Sequence, residues 1–272
     1  MRNLNWFTQM FVDLRILLHS MEASIFFFFD DFTRMAWVYF LKQKSEAFSV
    51  FKKLKVFVEN QSGCLLKKLK TDNGKEYTSA KFNKFCDDLG VERRLTVSYS
   101  PQQNRVSERK NRFVLEMAKC MIFEKKLPKS FWAEAINTTV YLQNRIPTKV
   151  VEGMTPIEAL GGINPSIKHL RVFGSLCYTQ IPYVKRSKLD EKAEKGILIG
   201  YSSKSKGYKV YGIDSNKIFI NRDVKVDEDA YWNWETSQVD RGSTLPSLED
   251  TNEDQDEEVD DDFAVRGTRP LS

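Results

Sequence analysis

An α/β fold with a mixed sheet, followed by a small β-barrel and an acidic disordered tail, is what this 272-residue sequence predicts. Three observations carry the expectation. Three strand-like segments, a helix, a strand, a helix and a strand precede further helices. From Leu170 the pattern turns to short β segments. Beyond Trp234 the chain is too polar and acidic to bury a core. The predicted division is 1–127 for the α/β core, 128–168 for a helical extension and connector, 169–230 for the barrel and 231–272 for the linker.

Phe11 to Leu18, a short apolar stretch around Asp13, opens the sheet. Ser24–Asp30 follows, and its Ile25-Phe-Phe-Phe-Phe29 run predicts a strand buried on both faces. The run is too short to span a bilayer and lacks the basic start and cleavage site of a signal peptide. Asp31-Phe-Thr-Arg34 is short enough for a hairpin turn into Met35–Leu41. Ser45 can cap a helix carrying Ala47, Phe48, Phe51, Leu54, Phe57 and Val58 on one side, and Gly63 breaks it. Cys64–Thr71 returns as a strand that delivers Asp72. A second helix begins at Ser79 or Lys81 and stops at Gly90, and Val91–Val97 is the last strand of the sheet.

A long helix from about Val106 to Phe123 keeps Phe113, Val114, Met117, Ala118 and Met121 on its buried side. Pro128 precedes another helix with Phe131, Trp132, Ala135, Ile136, Val140 and Leu142, and Pro147, Gly153, Pro156, Gly161-Gly162 and Pro165 punctuate a connector. Gly196–Tyr201, Tyr208–Ile213 and Lys217–Val226 are the barrel strands, with an Asp214-Ser-Asn216 turn between the last two.

The formal charge of +5 hides an asymmetry. From Asp227 onward 15 acidic residues stand against 3 basic ones, so the preceding 226 residues carry +17. A globular part that basic favours polyanionic partners, nucleic acid first. Cys64, Cys86, Cys120 and Cys177 are scattered, and His19 and His169 are the only histidines, so neither a zinc finger nor a disulfide framework can be assembled. A reducing compartment follows, with the cysteines as small core residues and both histidines structural.

Asp72 and Glu108 are the carboxylates that point to chemistry. Asp72 follows an apolar strand, and Glu108 stands 35 residues further on, inside a basic helix. Carboxylates from different elements converging on paired divalent cations are what metal-assisted phosphoryl transfer needs. Asn73-Gly74 lets the chain turn away from Asp72 and leaves room for a ligand. The plain alternative for Glu108 is a surface pair with Arg112, worth about 0.3–0.5 kcal/mol. Lys67, Lys68, Lys70, Arg109, Lys110 and Arg112 supply positive charge around these two acids. In the barrel, Lys204, Lys206 and Lys209 alternate with Tyr201, Tyr208 and Tyr211, a pattern equally suited to nucleic acid and to cross-strand packing.

Leu69-Lys-Thr-Asp-Asn-Gly-Lys-Glu-Tyr77 and Ser100-Pro-Gln-Gln-Asn-Arg-Val-Ser-Glu-Arg-Lys-Asn-Arg112 resemble the second and third signatures of a copia-type retrotransposon integrase. Phe29-Asp-Asp-Phe-Thr-Arg-Met-Ala-Trp-Val-Tyr-Phe-Leu41 resembles the strand pair between that family's first two catalytic carboxylates. Phe173-Gly-Ser-Leu-Cys-Tyr178, Lys188-Leu-Asp-Glu-Lys192, Ile199-Gly-Tyr201, Lys206-Gly-Tyr208 and Asn221-Arg-Asp-Val224 resemble the Src-homology-3-like barrel that follows the core in the polyprotein. The resemblance implies a ribonuclease-H-like mixed sheet with flanking helices, then the barrel. It also implies metal-dependent phosphodiester hydrolysis and DNA strand transfer, inserting retrotransposon DNA into a genome. Asp13, Asp72 and Glu108 would be the catalytic and metal-binding residues, with two Mg²⁺ or Mn²⁺ ions. Gln102, Gln103, Asn104, Arg105, Arg109, Asn111 and Arg112 would face nucleic acid. Double-stranded DNA of the element ends and target, a homo-oligomer when active, the nucleus, and no membrane complete the implied setting.

Two positions depart from the family pattern. Asp13 is followed by Arg15-Ile-Leu-Leu18 where a Gly-Pro continuation is expected, and Asp30 is the alternative first carboxylate. Arg105 replaces an expected glycine, either stiffening the loop or adding a phosphate contact. With no zinc-binding module ahead of the core and an acidic linker pointing toward a reverse transcriptase, the expectation is a polyprotein fragment from a degenerate copy. The same residues leave two other readings open: a non-catalytic nucleic-acid-binding remnant, and an interaction module acting through barrel and acidic tail.

Overall fold

The phenylalanine run forms a central strand, buried from both sides. The computed structural model describes residues 7–14, 24–71, 79–95, 105–181 and 192–241, without the side chains of 7–14 and 105–107. The first sheet holds β1 (Phe7–Leu14), β2 (Ser24–Asp30), β3 (Ala36–Leu41), β4 (Lys68–Thr71) and β5 (Glu92–Leu95), in the order β3-β2-β1-β4-β5. β1 runs antiparallel to β2 and parallel to β4, and β4 runs parallel to β5, so the sheet is mixed as expected. β1 spans Phe7–Leu14 rather than Phe11–Leu18, which leaves Asp13 next to its end.

The helices are α1 (Ala47–Ser62), α2 (Ala80–Asp88), α3 (Arg105–Glu124), α4 (Trp132–Gln143) and α5 (Pro156–Gly161). A single 3₁₀ turn at Lys44–Glu46 leads into α1, so Ser45 is inside that turn and does not cap the helix. Gly63 closes α1 at φ 68°, donating its N–H to the Glu59 carbonyl, a left-handed stop that glycine adopts without strain. Ser79 caps α2 by accepting from the Phe82 N–H.

Because side chains alternate along a strand, β2 feeds two cores. Phe26 and Phe28 meet Phe51 and Leu54 of α1, Leu69 of β4 and Phe82 and Cys86 of α2. Ile25, Phe27 and Phe29 meet Val114, Ala118 and Ile122 of α3 and Ala135, Ile136 and Val140 of α4. The buried side of α3 differs from the expectation: Phe113 and Met117 are exposed at 46% and 37%. The stripe Val114, Ala118, Ile122 lies against the sheet instead, where small Ala118 allows close approach. Of the four cysteines expected in cores, Cys86 and Cys177 are buried, Cys64 is half-buried and Cys120 is exposed.

The second sheet is antiparallel, with β6 (Leu176–Gln180), β7 (Ala193–Tyr201), β8 (Tyr208–Gly212), β9 (Ile218–Asn221) and β10 (Val224–Asp227) in the order β10-β6-β7-β8-β9. The single strand expected over Lys217–Val226 is broken at Arg222-Asp223: β9 pairs with β8, whereas β10 pairs with β6. The chain thus steps from one edge of the sheet to the other within two residues, curling it as a small barrel requires. Cys177, Leu198 and Val210 fill its interior. Ile197 and Ile199, on the other face of β7, join the Phe27 cluster, and Lys209 pairs with Glu134 of α4 at 2.7 Å.

Residues 231–241 correct the expected linker. β11 (Ala230–Asn233) and β12 (Gln238–Arg241) form an antiparallel hairpin, and Trp232 and Trp234 pack on the cluster that holds Phe27. Residues 242–272 lie outside the described residues.

Gly174 sits where the α3–α4 connection meets the second sheet. Its φ is +82°, its N–H donates to Leu198, and a Cβ there would come within 2.8 Å of the Lys125 Cβ and 2.9 Å of Leu127 Cδ1. Gly174→Ala combines left-handed strain with overpacking and is expected to cost about 2–3 kcal/mol, read as a lower denaturant midpoint.

Candidate active site

Parallel pairing sends β1 and β4 to the same rim of the sheet. In open α/β sheets, ligands bind outside the carboxyl ends of such strands. Asp13 falls where the β1–β2 register slips, between Val12 opposite Phe26 and Leu14 opposite Ile25. A bulge of this kind takes its residue out of the ladder, and bulges recur beside active sites. β4 ends at Thr71, 1% exposed, whose Oγ1 lacks a hydrogen-bond partner among the described residues. Asp72 is the next residue in the chain and lies outside the described residues, as do Gln102, Gln103 and Asn104.

α3 reaches the same level of the sheet. Phe29, Gln9 and Lys70 stand side by side across β2, β1 and β4. Lys110, on the second turn of α3, rests its Nζ 4.8 Å above the Phe29 ring. Burial, reinforced by the Arg34 cation and opposed by Asp31 and Asp30, lowers its pKa to about 8. The helix start is therefore pinned to the row from which β4 leads, two residues on, to Asp72. Nothing in the sequence set Lys110 apart from its basic neighbours; its place under the helix comes from tertiary packing.

Glu108 sits in the first turn of α3 and is exposed. The positive end of a helix favours a carboxylate there. No ion pair joins it to Arg112 among the described residues, so the plain surface-pair alternative is not what the structure contains. Arg109 and Arg112 are exposed as expected. Asn111 is not: it is 8% exposed, on the sheet side with Val114, and its Oδ1 has no partner among the described residues. A phosphate-facing role does not fit that position. Arg105 begins α3, and its side chain is outside the description. Lys68, one of the basic residues expected around the two acids, pairs with Glu92 at 3.3 Å.

Asp30, the alternative first carboxylate, belongs to the β2–β3 turn. It stands opposite Thr8, toward the start of β1, and is fully buried. Its Oδ2 accepts from the Thr33 N–H at 2.9 Å and the Thr33 hydroxyl at 2.5 Å. Burial raises its pKa against the lowering effect of these hydrogen bonds, and Asp31 adds to the rise. An acid whose folded pKa is raised contributes most stability below its ordinary value of 3.8, and that contribution is lost as pH rises through the folded pKa. Asp30→Asn keeps an acceptor for Thr33 and cannot ionise. Its melting temperature is expected to exceed wild type at pH 7, with the gap closing on acidification. Asp30→Ala leaves the Thr33 donors unpaired and should cost about 1–3 kcal/mol.

Among the described residues no three carboxylate, histidine or cysteine side chains gather into a metal site. The side chain of Asp13 and all of Asp72 are outside that set. The donor chemistry of Asp13, Asp72 and Glu108 is three hard carboxylates, which fits Mg²⁺ or Mn²⁺ and not a thiolate- or imidazole-bound zinc. No helix among the described residues is long and apolar enough to cross a membrane.

Residues 3–101 match the family described as Integrase core domain, and residues 175–240 match Retroviral polymerase SH3-like domain. The chain is 40% identical over 209 residues to the Retrovirus-related Pol polyprotein from transposon TNT 1-94 of Nicotiana tabacum, covering 76% of this chain and 16% of that protein. It is 31% identical over 216 residues to the Retrovirus-related Pol polyprotein from transposon RE1 of Arabidopsis thaliana, covering 79% and 15%. This chain thus spans less than a fifth of the length of either relative. Among solved structures, the HTLV-2 integrase catalytic core domain in complex with magnesium is similar at a TM-score of 0.41 and 17% identity, covering 57% of this chain and 94% of that one.

Proposed function

We propose that this chain, which belongs to the integrases of copia-type retrotransposon Pol polyproteins, carries out metal-dependent cleavage and joining of DNA ends at the rim where β1, β4 and α3 meet. One observation carries the reading. Lys110 holds the first turns of α3 at the level of the Phe29–Gln9–Lys70 row, leaving the Glu108 carboxylate exposed, with no ion pair among the described residues, two residues from the helix contact.

Asp13, Asp72 and Glu108 would hold two Mg²⁺ or Mn²⁺ ions. Such ions activate water or a DNA 3′-hydroxyl and stabilise the leaving oxygen. The protein's own work is placement. Asp13 would come from the bulged end of β1 and Asp72 from the chain that follows β4, while α3 carries Glu108 in its first turn. Arg109 and Arg112, exposed on the same helix, supply phosphate contacts that fix the DNA without reading its sequence. Double-stranded DNA as substrate, a homo-oligomeric active form and action in the nucleus belong to the same proposal.

The test is joining of an oligonucleotide bearing the element's own terminus, in Mn²⁺ and in EDTA, by wild type and Asp72→Asn. Joining that needs the metal and disappears in the variant supports the reading. Wild-type protein that binds the duplex yet never cleaves or joins it would leave a nucleic-acid-binding remnant in place of an enzyme.

A further inference from the structure

A groove of 1220 Å³ runs between the outer edge of the first sheet and the barrel, with β2 and β1 between that edge and β4. Its floor is the outer edge of β3 with Met35 before it, where the Asn144 side chain bonds the Ala36 N–H and carbonyl, and its far wall is the β7–β8 loop, Ser202–Gly207. α4 contributes Tyr141 and Arg145. Small-molecule sites run to about 300–1,000 Å³, so a groove this large suits a chain of linked units.

Its charge is one-sided. Arg145, Lys204, Lys206 and Arg222 line it, and no carboxylate does among the described residues. In a sequence with 37 acidic residues that separation marks a positive basin. Burial and the Arg145 and Arg171 cations hold the His169 pKa below its usual range, in keeping with that field. Lys204, Lys206 and Arg222 are exposed and have no ion-pair partner among the described residues. Lys209, by contrast, is spent on Glu134.

The wall is also aromatic, and it is set in advance. Tyr141 and Tyr201 stack at 4.5 Å, and the Arg145 guanidinium lies 3.4 Å above the Tyr141 ring. The Tyr141 hydroxyl bonds His169 Nε2 at 2.7 Å, and the Tyr208 hydroxyl donates to the His169 carbonyl at 2.9 Å. Trp37 and Tyr39 stand half-buried on the opposite side, held from behind by the Phe26–Phe28 core, with Tyr39 edge-on to Phe28 at 5.5 Å. Cations spaced among fixed rings are how proteins hold single strands, with phosphates on the cations and bases against the rings.

We propose that this groove is a second nucleic-acid site, which takes a single-stranded segment with phosphates on Lys204, Lys206 and Arg222 and bases against Trp37, Tyr39 and Tyr208. The inference rests on the reading of the chain as a DNA-processing protein and adds a site remote from the candidate carboxylates. An acidic peptide is the competing occupant, since β3 offers a strand edge; the density of rings favours bases.

The experiment measures anisotropy of a labelled oligothymidylate in EDTA across a salt series, with the full chain. Lys204→Glu/Lys206→Glu should weaken binding at least tenfold and lower the salt slope by about 1.4, two phosphates at roughly 0.7 each. Lys52→Glu/Lys53→Glu on α1 carries the same charge change away from the groove and should leave binding within about twofold. Equal weakening by both pairs, no weakening by the first, or displacement by polyglutamate as effective as by unlabelled oligothymidylate would each overturn the proposal. Because no metal is present, groove binding that survives in a chain unable to join DNA upholds the groove and defeats only the catalytic reading. Metal-dependent joining with no groove effect does the reverse.

Discussion

A Glu108→Gln chain is expected to lose metal-dependent joining by about 10³-fold while melting within about 0.5 kcal/mol of wild type. The two halves of that expectation have one cause. Glu108 is exposed, in the first turn of α3, with no ion pair to Arg112 among the described residues. Removing its charge takes away little that holds the fold, and exposed substitutions of this kind stay near ±0.5 kcal/mol. The same carboxylate, if it binds metal, stabilises developing charge by several kcal/mol, which is about a thousandfold in rate. Joining kinetics beside a thermal melt would check both. A large fall in stability would place Glu108 in the architecture, and retained joining would remove it from the chemistry.

The largest loss of stability is expected from Phe27→Ala. Phe27 is fully buried, stacks on Phe29 at 6.0 Å, and faces α3 and α4 from the middle of β2. Truncating a buried phenylalanine costs about 3–5 kcal/mol, the lost transfer energy plus the cavity left in a core with close neighbours. Total stability is typically about 5–15 kcal/mol, so the variant should melt roughly 10 °C lower. Phe123→Ala is the control: at 62% exposure that ring should matter by less than about 0.5 kcal/mol. Denaturant midpoints for the pair separate burial from residue type.

How much of this was legible in the sequence depended on how each element is coded. β2 was readable because five consecutive apolar residues ending in Asp30-Asp31 fit a strand buried on both faces and little else. α3 was readable as a helix but not in its rotation. Phe113 and Met117 make one apolar stripe, and Val114, Ala118 and Ile122 make another; periodicity cannot rank them. The sheet chose the second because a small residue at 118 lets the helix sit close, and that choice also buried Asn111 while leaving Glu108 and Arg112 outside. The 230–241 hairpin was hidden by the acids at Asp227–Asp229, although Tyr231-Trp-Asn-Trp234 carried a signal: two tryptophans in a disordered linker are out of place. Asp30 and Asp13 could not be ranked by composition. Strand register separates them, one committed to a turn with Thr33, the other at a bulge near the end of β1.

Ile197 and Ile199 share one apolar cluster with Phe27 and Ala135. Between them the chain crosses a punctuated stretch that would be the natural place for a hinge, yet there is nothing for a hinge to swing. During synthesis α4 keeps an unsatisfied greasy flank until β7 leaves the ribosome, so the early half cannot finish folding alone. Later, a protease cutting near Pro165 would leave two pieces that stay clasped until denaturant parts them.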